Sequence, residues 1–198
     1  LTVKPADGQT RALTISAEDA GAALRGFDLY ESMAGGALKL NGTFDDSKPS
    51  SPLTARLVID GYRVVEAPVL AHLISIMALT GILESLQGDG LSFTTLDAPF
   101  VFEGGVLQVS EARASGPSLG FTASGSIYTA TDIVSIQGTV VPAYVINSLL
   151  GYIPLLGDLF TGGEKGGGVF AATYRMHGPT EDPKVEVNPL SALAPGFL

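Results

Sequence analysis

Apolar and polar side chains alternate along much of this chain. Leu38, Leu40 and Phe44 fall on one side of an extended backbone and Lys39, Asn41 and Thr43 on the other. After a loop from Asp45 to Pro52, Leu53, Ala55, Leu57 and Ile59 repeat the pattern against Thr54, Arg56 and Asp60. Two-residue periodicity of this kind predicts half-buried antiparallel strands. The most regular part follows Gly88-Asp-Gly90. Leu91 and Phe93 lead past a bulge expected at Asp97-Ala-Pro99 to Phe100 and Phe102, and a turn at Glu103-Gly-Gly105 leads into Leu107 and Val109. Beyond Gly116-Pro117, Leu119, Phe121, Ala123 and Ile127 alternate with Thr122, Ser124 and Ser126; Val134, Ile136 and Val140 then oppose Ser135, Gln137 and Thr139. Spacings this short call for hairpins, since parallel crossovers need a dozen or more residues. Further strands are predicted over Val169–His177 and at Val185 and Val187, around the turn signals Gly178-Pro179 and Asp182-Pro183. The expectation is a β-rich α+β fold: a curved antiparallel meander of roughly eight or nine strands, with short helices over its apolar face.

The helical predictions are three. Residues 1–10 read as a polar lead-in and Arg11–Ser16 as a short alternating run. Ser16, with Asp19 three positions on, reads as a helix start, with Ala20, Ala23, Leu24 and Phe27 at helical spacing and Gly35-Gly36 as its end. From Glu66 to Gln87, Pro68 suits a first helical turn, but the apolar stripe changes sides. Leu70, Leu73, Ile74 and Met77 cluster on one side; Leu79, Ile82, Leu83 and Leu86 cluster on the other. A straight helix cannot hide both stripes against one flat sheet, so a break near Thr80-Gly81, or protein on both sides, is required. The third is the stretch the chain is organised around. Between Ile136 and Gly157 there is no charge, yet Pro142, Asn147, Ser148, Gly151 and Pro154 interrupt what is nearly the length of a membrane span. Two short amphipathic helices are predicted, the first opening at Pro142 and the second after Ile153-Pro154, with Val141, Pro142, Tyr144, Ile153, Pro154, Leu155 and Leu156 as a helical cap. The tail from Asn188 is apolar but broken by prolines.

Composition narrows the functional classes. The 198 residues are 45 % hydrophobic and 16 % charged, below the roughly 25 % of an ordinary globular chain. Either the surface is rich in Ser, Thr and Gly, or something outside the chain covers apolar surface. A net charge of −9 leaves no basic footprint for nucleic acid and argues against electrostatic docking on anionic lipid. Cysteine is absent, removing disulfides, thiol nucleophiles and thiolate metal sites. With only His72 and His177, zinc would need carboxylates for most of its ligands. The loop Gly162-Gly-Glu-Lys-Gly-Gly-Gly168 lacks the Gly-Lys-Ser/Thr order of a phosphate cradle and reads as a connector. No cofactor, metal or catalytic site is predicted, and a hydrolase acting on lipid or glycan is the enzyme alternative. The chain does not begin with Met, which reads as a processed piece or fragment whose membrane anchor would lie upstream.

In order along the chain come Asp19-Ala-Gly-Ala22, Arg63-Val-Val-Glu-Ala-Pro-Val-Leu70, Gly138-Thr-Val-Val-Pro-Ala-Tyr144, Asn147-Ser-Leu-Leu150, Ile153-Pro-Leu-Leu-Gly157 and Asn188-Pro-Leu-Ser-Ala-Leu-Ala-Pro-Gly-Phe-Leu198. This series, with the Gly178-Pro179 and Asp182-Pro183 pairs, resembles the C-terminal region of the AsmA-like family of bacterial envelope proteins, the YhdP- and TamB-related group. The resemblance implies that residues 1–198 form one periplasmic domain of a protein anchored in the inner membrane of a two-membrane bacterium. It also implies a role in outer-membrane biogenesis, with phospholipid carried along a hydrophobic β-groove and other envelope proteins as possible partners. Alternation places Leu91, Phe93, Leu107, Val109, Leu119, Phe121 and Ile127 on the lipid-facing or core side. A structural capping or docking module without its own lipid path is the alternative.

Overall fold

The computed structural model describes residues 1–76, 80–142 and 172–188. They form one ten-stranded antiparallel sheet in which every strand pairs with its neighbour in sequence: β1 Thr2–Asp7, β2 Thr10–Ala17, β3 Met33–Asp45, β4 Leu53–Val64, β5 Leu91–Glu103, β6 Val106–Ser115, β7 Leu119–Tyr128, β8 Ile133–Pro142, β9 Ala172–Pro179 and β10 Lys184–Asn188. The expected meander is present, with one strand more than the eight or nine anticipated. The addition is β1, inside the polar lead-in: Thr2 to Lys4 pair with Thr14 to Ala12, too few apolar positions for periodicity to register. The β1–β2, β3–β4, β5–β6, β7–β8 and β9–β10 turns lie at one end of the sheet. The longer connections leave from the other.

Three helices occupy those longer connections: α1 (Ala20–Gly26), α2 (Pro68–Ile76) and α3 (Thr80–Gln87). The α1 cap is Asp19 rather than Ser16, its carboxylate accepting the Ala22 N–H at 2.9 Å. Ser16 is consumed by the sheet, where it pairs with Lys39. Gly35 and Gly36 do not end that helix; both lie in β3 with positive φ. The Glu66–Gln87 segment is two helices, the first of the two arrangements that the change of stripe allows, with residues 77–79 outside the described set. Leu73 and Ile74 from α2 and Leu86 from α3 are buried on the sheet.

Pro142 corrects one sequence reading. Val141 and Pro142 do not open a helix; they end β8, opposite Gly120 and Leu119. A proline is tolerated at a strand terminus because the missing N–H costs no interior ladder bond. The remaining cap residues, Tyr144, Ile153, Pro154, Leu155 and Leu156, lie outside the described residues, as do the predicted helices and the tail beyond Asn188.

The sheet curls around α2 and α3. Its inward face is apolar from β2 to β10, and curvature brings β10 onto α2, so that Val185 and Val187 pack against the cluster built on Met33, Ile59, Tyr62, Leu91 and Val140. The backbones of β7 and β8 approach closely at Gly138. A Cβ on Gly138 would stand 1.8 Å from the Thr122 carbonyl oxygen, so only glycine permits this approach. The Thr139 N–H donates to Thr122 Oγ1 (3.0 Å) instead of the carbonyl, which receives the Tyr174 hydroxyl at 2.9 Å. A phenol thus replaces a ladder bond at this approach.

A candidate apolar site on the concave face

Cross-strand register decides which side chains share the concave face. Leu53 pairs with Phe102 and Phe102 with Leu107, which pairs in turn with Ile127; Phe100 pairs with Val109, and Ala114 with Phe121. All seven residues singled out by alternation lie on this one face, but under different cover. Leu91, Phe93 and Leu119 are buried in the core beneath the helices, Phe121 packs at its margin, and Leu107, Val109 and Ile127 are half-buried toward the tight-turn end. Phe102, at that end of the face, is 37 % exposed. Helices therefore fill one end of the curl and leave the other uncovered by described residues.

Strict alternation does not hold along the face. Inward positions run Leu57, Ile59, then Tyr62, Val64 on β4, where Gly61 and Thr94 drop out of the ladder between Asp60–Thr95 and Tyr62–Phe93 with no shift of register. The irregularity expected at Asp97–Pro99 is present against β6, with the extra residue on the partner strand. Glu111 takes a left-handed φ of 50° and its N–H donates to Ser124 Oγ at 2.9 Å. The inward set on β6 thereby shifts from Leu107 and Val109 to Ala112 and Ala114.

That shift makes a hollow. Tyr62 stacks on Phe93 with centroids 5.2 Å apart and planes at 10°, and Phe93 meets Phe121 at 5.9 Å and 37°. Beside this aromatic row the inward residues are small: Ala112, Ala114 and Ala123, with Leu96 behind them. Large rings next to methyl groups leave an open hollow of about 190 Å³, also lined by Leu70, Tyr30, Arg113 and Thr122. Sequence reasoning named Phe93 and Phe121 and put Ala123 on their face, but missed Tyr62, Tyr30, Ala112 and Ala114. The run Gly61-Tyr62 was one available signal, since a glycine inside a strand marks a bulge or close approach.

The polar face carries a larger concavity, about 580 Å³, lined by Thr122, Ser124, Gln137, Thr139, Arg175 and Glu186 among others. It is a shallow region of hydroxyl, amide and charged side chains on the outer surface. Ion pairs also lie on exposed surface. The Arg11 guanidinium grips Asp46 at 2.6 and 2.8 Å, and that of Arg56 grips Asp97, holding both carboxyls below their ordinary range. Lys184, at 2.8 Å, does the same for Glu186. Among the described residues no three His, Asp or Glu side chains come together as a metal site, and no helix is long and apolar enough to cross a membrane. His72 on α2 and His177 on β9 are both exposed. Comparison with family models, with characterised proteins and with solved structures gives no match.

Proposed function

We propose that this chain is a lipid-handling domain of a bacterial envelope protein, holding phospholipid acyl chains on the concave face of its sheet while headgroups stay in water. The observation that supports this is the continuity of the apolar face past the helices: Phe100, Leu107, Val109 and Ile127 continue the surface that Leu91, Phe93 and Leu119 begin beneath them. Each methylene moved from water onto such a surface gains about 0.8 kcal/mol. A partly open groove therefore retains a chain without a charged receptor, in keeping with a net charge of −9. The AsmA-like resemblance adds the setting: a periplasmic domain of an inner-membrane-anchored protein that conducts phospholipid between the membranes, without an enzymatic role.

One observation favours a structural cap instead. Leu91, Phe93 and Leu119 are each at most 4 % exposed, so protein already fills the helical end of the curl. The two readings separate by site-specific photocrosslinking in cells, within the full-length protein, at Val109 and Ile127 on the concave face and at Ser124 and Ser126 behind it. Phospholipid adducts from the concave positions alone are expected. Equal labelling of both faces, or none in a functional protein, removes the lipid path and leaves the cap.

A further inference from the structure

The turn that leaves α1 holds apolar side chains out in water. It is a closed helix ending: Asp28 takes a left-handed φ of 54°, its N–H donates to the Arg25 carbonyl at 3.1 Å, and the Leu29 N–H reaches back to the Leu24 carbonyl at 2.9 Å. Aspartate enters that backbone region more readily than most residues. The far side of the turn is tied down as well. The Arg25 guanidinium donates to the Met33 carbonyl at 2.5 Å, the Val65 N–H to the Ser32 carbonyl and Ser32 Oγ to the Glu66 carbonyl, both at 3.0 Å. In a helix ending of this kind the residue in the place of Leu29 commonly folds back onto the one in the place of Leu24. Here Leu24 packs on the core while Leu29 is 70 % exposed and Phe27 73 % exposed, more than any other large apolar side chain among the described residues except the terminal Leu1. Hydrogen bonds on both sides of the turn hold these two side chains outward.

Building on the lipid reading above, we propose that this turn is a membrane-contact point, at which Phe27 and Leu29 enter the interfacial layer of a zwitterionic bilayer. Tyr30, next along the chain, lines the hollow beside Tyr62 and is still 41 % exposed, so a bilayer touching the turn lies against the rim of the hollow. A protein partner fits less well. A stable interface needs about 800 Å² and roughly 20 to 30 residues on each side, whereas the apolar surface here is one short turn bounded by exposed Arg25, Asp28 and Glu31. Side chains entering a bilayer contribute through their own buried area, one by one. Charge decides the kind of lipid: with Asp28 and Glu31 in the turn and a net charge of −9, an anionic surface repels the chain and a zwitterionic one does not.

The chain contains no tryptophan, so Phe27→Trp in the full chain introduces a single indole at an exposed site. In buffer its fluorescence is expected to be that of an indole in water; emission already shifted to the blue would mean that the chain itself covers the turn and would overturn the proposal. Phosphatidylcholine vesicles are expected to shift the emission to the blue, with quenching by lipid brominated on its acyl chains. Tyr128→Trp, an exposed site at the tight-turn end of the sheet, is expected to show neither effect. Equal shifts at both sites would mean indiscriminate adsorption and overturn the contact point, as would no shift at Phe27→Trp. Adding Leu29→Ser to Phe27→Trp should weaken vesicle partitioning about tenfold, the value of one apolar side chain lost from the interface; unchanged partitioning would refute the paired insertion. Phosphatidylglycerol should not strengthen binding, and a requirement for it would replace insertion by electrostatic docking and overturn the assignment. The lipid reading fails or stands separately, on the concave-face photocrosslinks: vesicle contact without them supports the contact point alone, and crosslinks without vesicle contact overturn it alone.

Discussion

Gly138→Ala tests whether the close approach of β7 and β8 is built as described. The added methyl carbon would lie 1.8 Å from the Thr122 oxygen and 2.8 Å from the Tyr174 hydroxyl, so β7 and β8 must separate by more than an ångström. Two hydrogen bonds depend on that approach, Tyr174 Oη to the Thr122 carbonyl and Thr139 N–H to Thr122 Oγ1. Losing each costs about 1 kcal/mol net, and forcing a methyl into a packed site costs about 1 to 3 kcal/mol. A destabilisation of about 3 to 5 kcal/mol is therefore expected in urea-induced unfolding. Tyr174→Phe removes only one of those bonds and should cost about 1 kcal/mol. In the Gly138→Ala background that bond is already broken, so the second substitution should add almost nothing, a failure of additivity expected for sites in direct contact. The double-mutant cycle thus reads the approach directly. Strictly additive costs, or a Gly138→Ala protein within about 0.5 kcal/mol of wild type, would refute this account of the approach.

Other outcomes follow from the same geometry. Ile74→Ala, which empties a fully buried position on α2, should cost about 3 kcal/mol, whereas Leu107→Ala on the half-buried part of the face should cost about 1 kcal/mol; equal losses in denaturant titration would contradict a helix-filled end and an open one. Toward acid, stability should fall. Asp46, Asp97 and Glu186 have folded pKa values below their unfolded ones, so their contribution is present above the ordinary carboxylate range and is lost as pH drops through the depressed values. Asp97→Asn should flatten the acid limb of a thermal melting series, and an unchanged limb would show the Arg56 pair to be idle. Toward alkali the sign reverses. Burial raises the Tyr174 phenol from 10.0 to about 12, so its contribution is complete below pH 10 and is lost as pH rises toward 12; phenolate absorbance titrating entirely at the ordinary value in the folded protein would refute its burial.

Period-two alternation, glycine and proline turn signals and short spacings were enough to specify an antiparallel meander and to put Leu107, Val109, Leu119, Phe121 and Ile127 on one face, because side-chain direction in a strand is a local property. The change of stripe between Ile74 and Leu83 likewise called for a break or for protein on both sides, and the structure has two helices there. What lay beyond local reading depends on partners distant in sequence. β1 forms because β2 offers it an edge, not because Thr2 to Asp7 prefer to be extended. Ser16 yields its capping place to Asp19 because β3 claims it as a ladder residue. The hollow beside Tyr62 arises only when a bulge at Glu111 turns Ala112 and Ala114 inward opposite Leu96 and Phe121, residues from three strands that no single stretch of sequence places together. Sequence alone determined which face is apolar, because alternation is a property of each strand. Only the tertiary structure decided how far that face is covered and where it is hollow, because curvature comes from approaches such as Gly138 to Thr122, set by backbones sixteen residues apart.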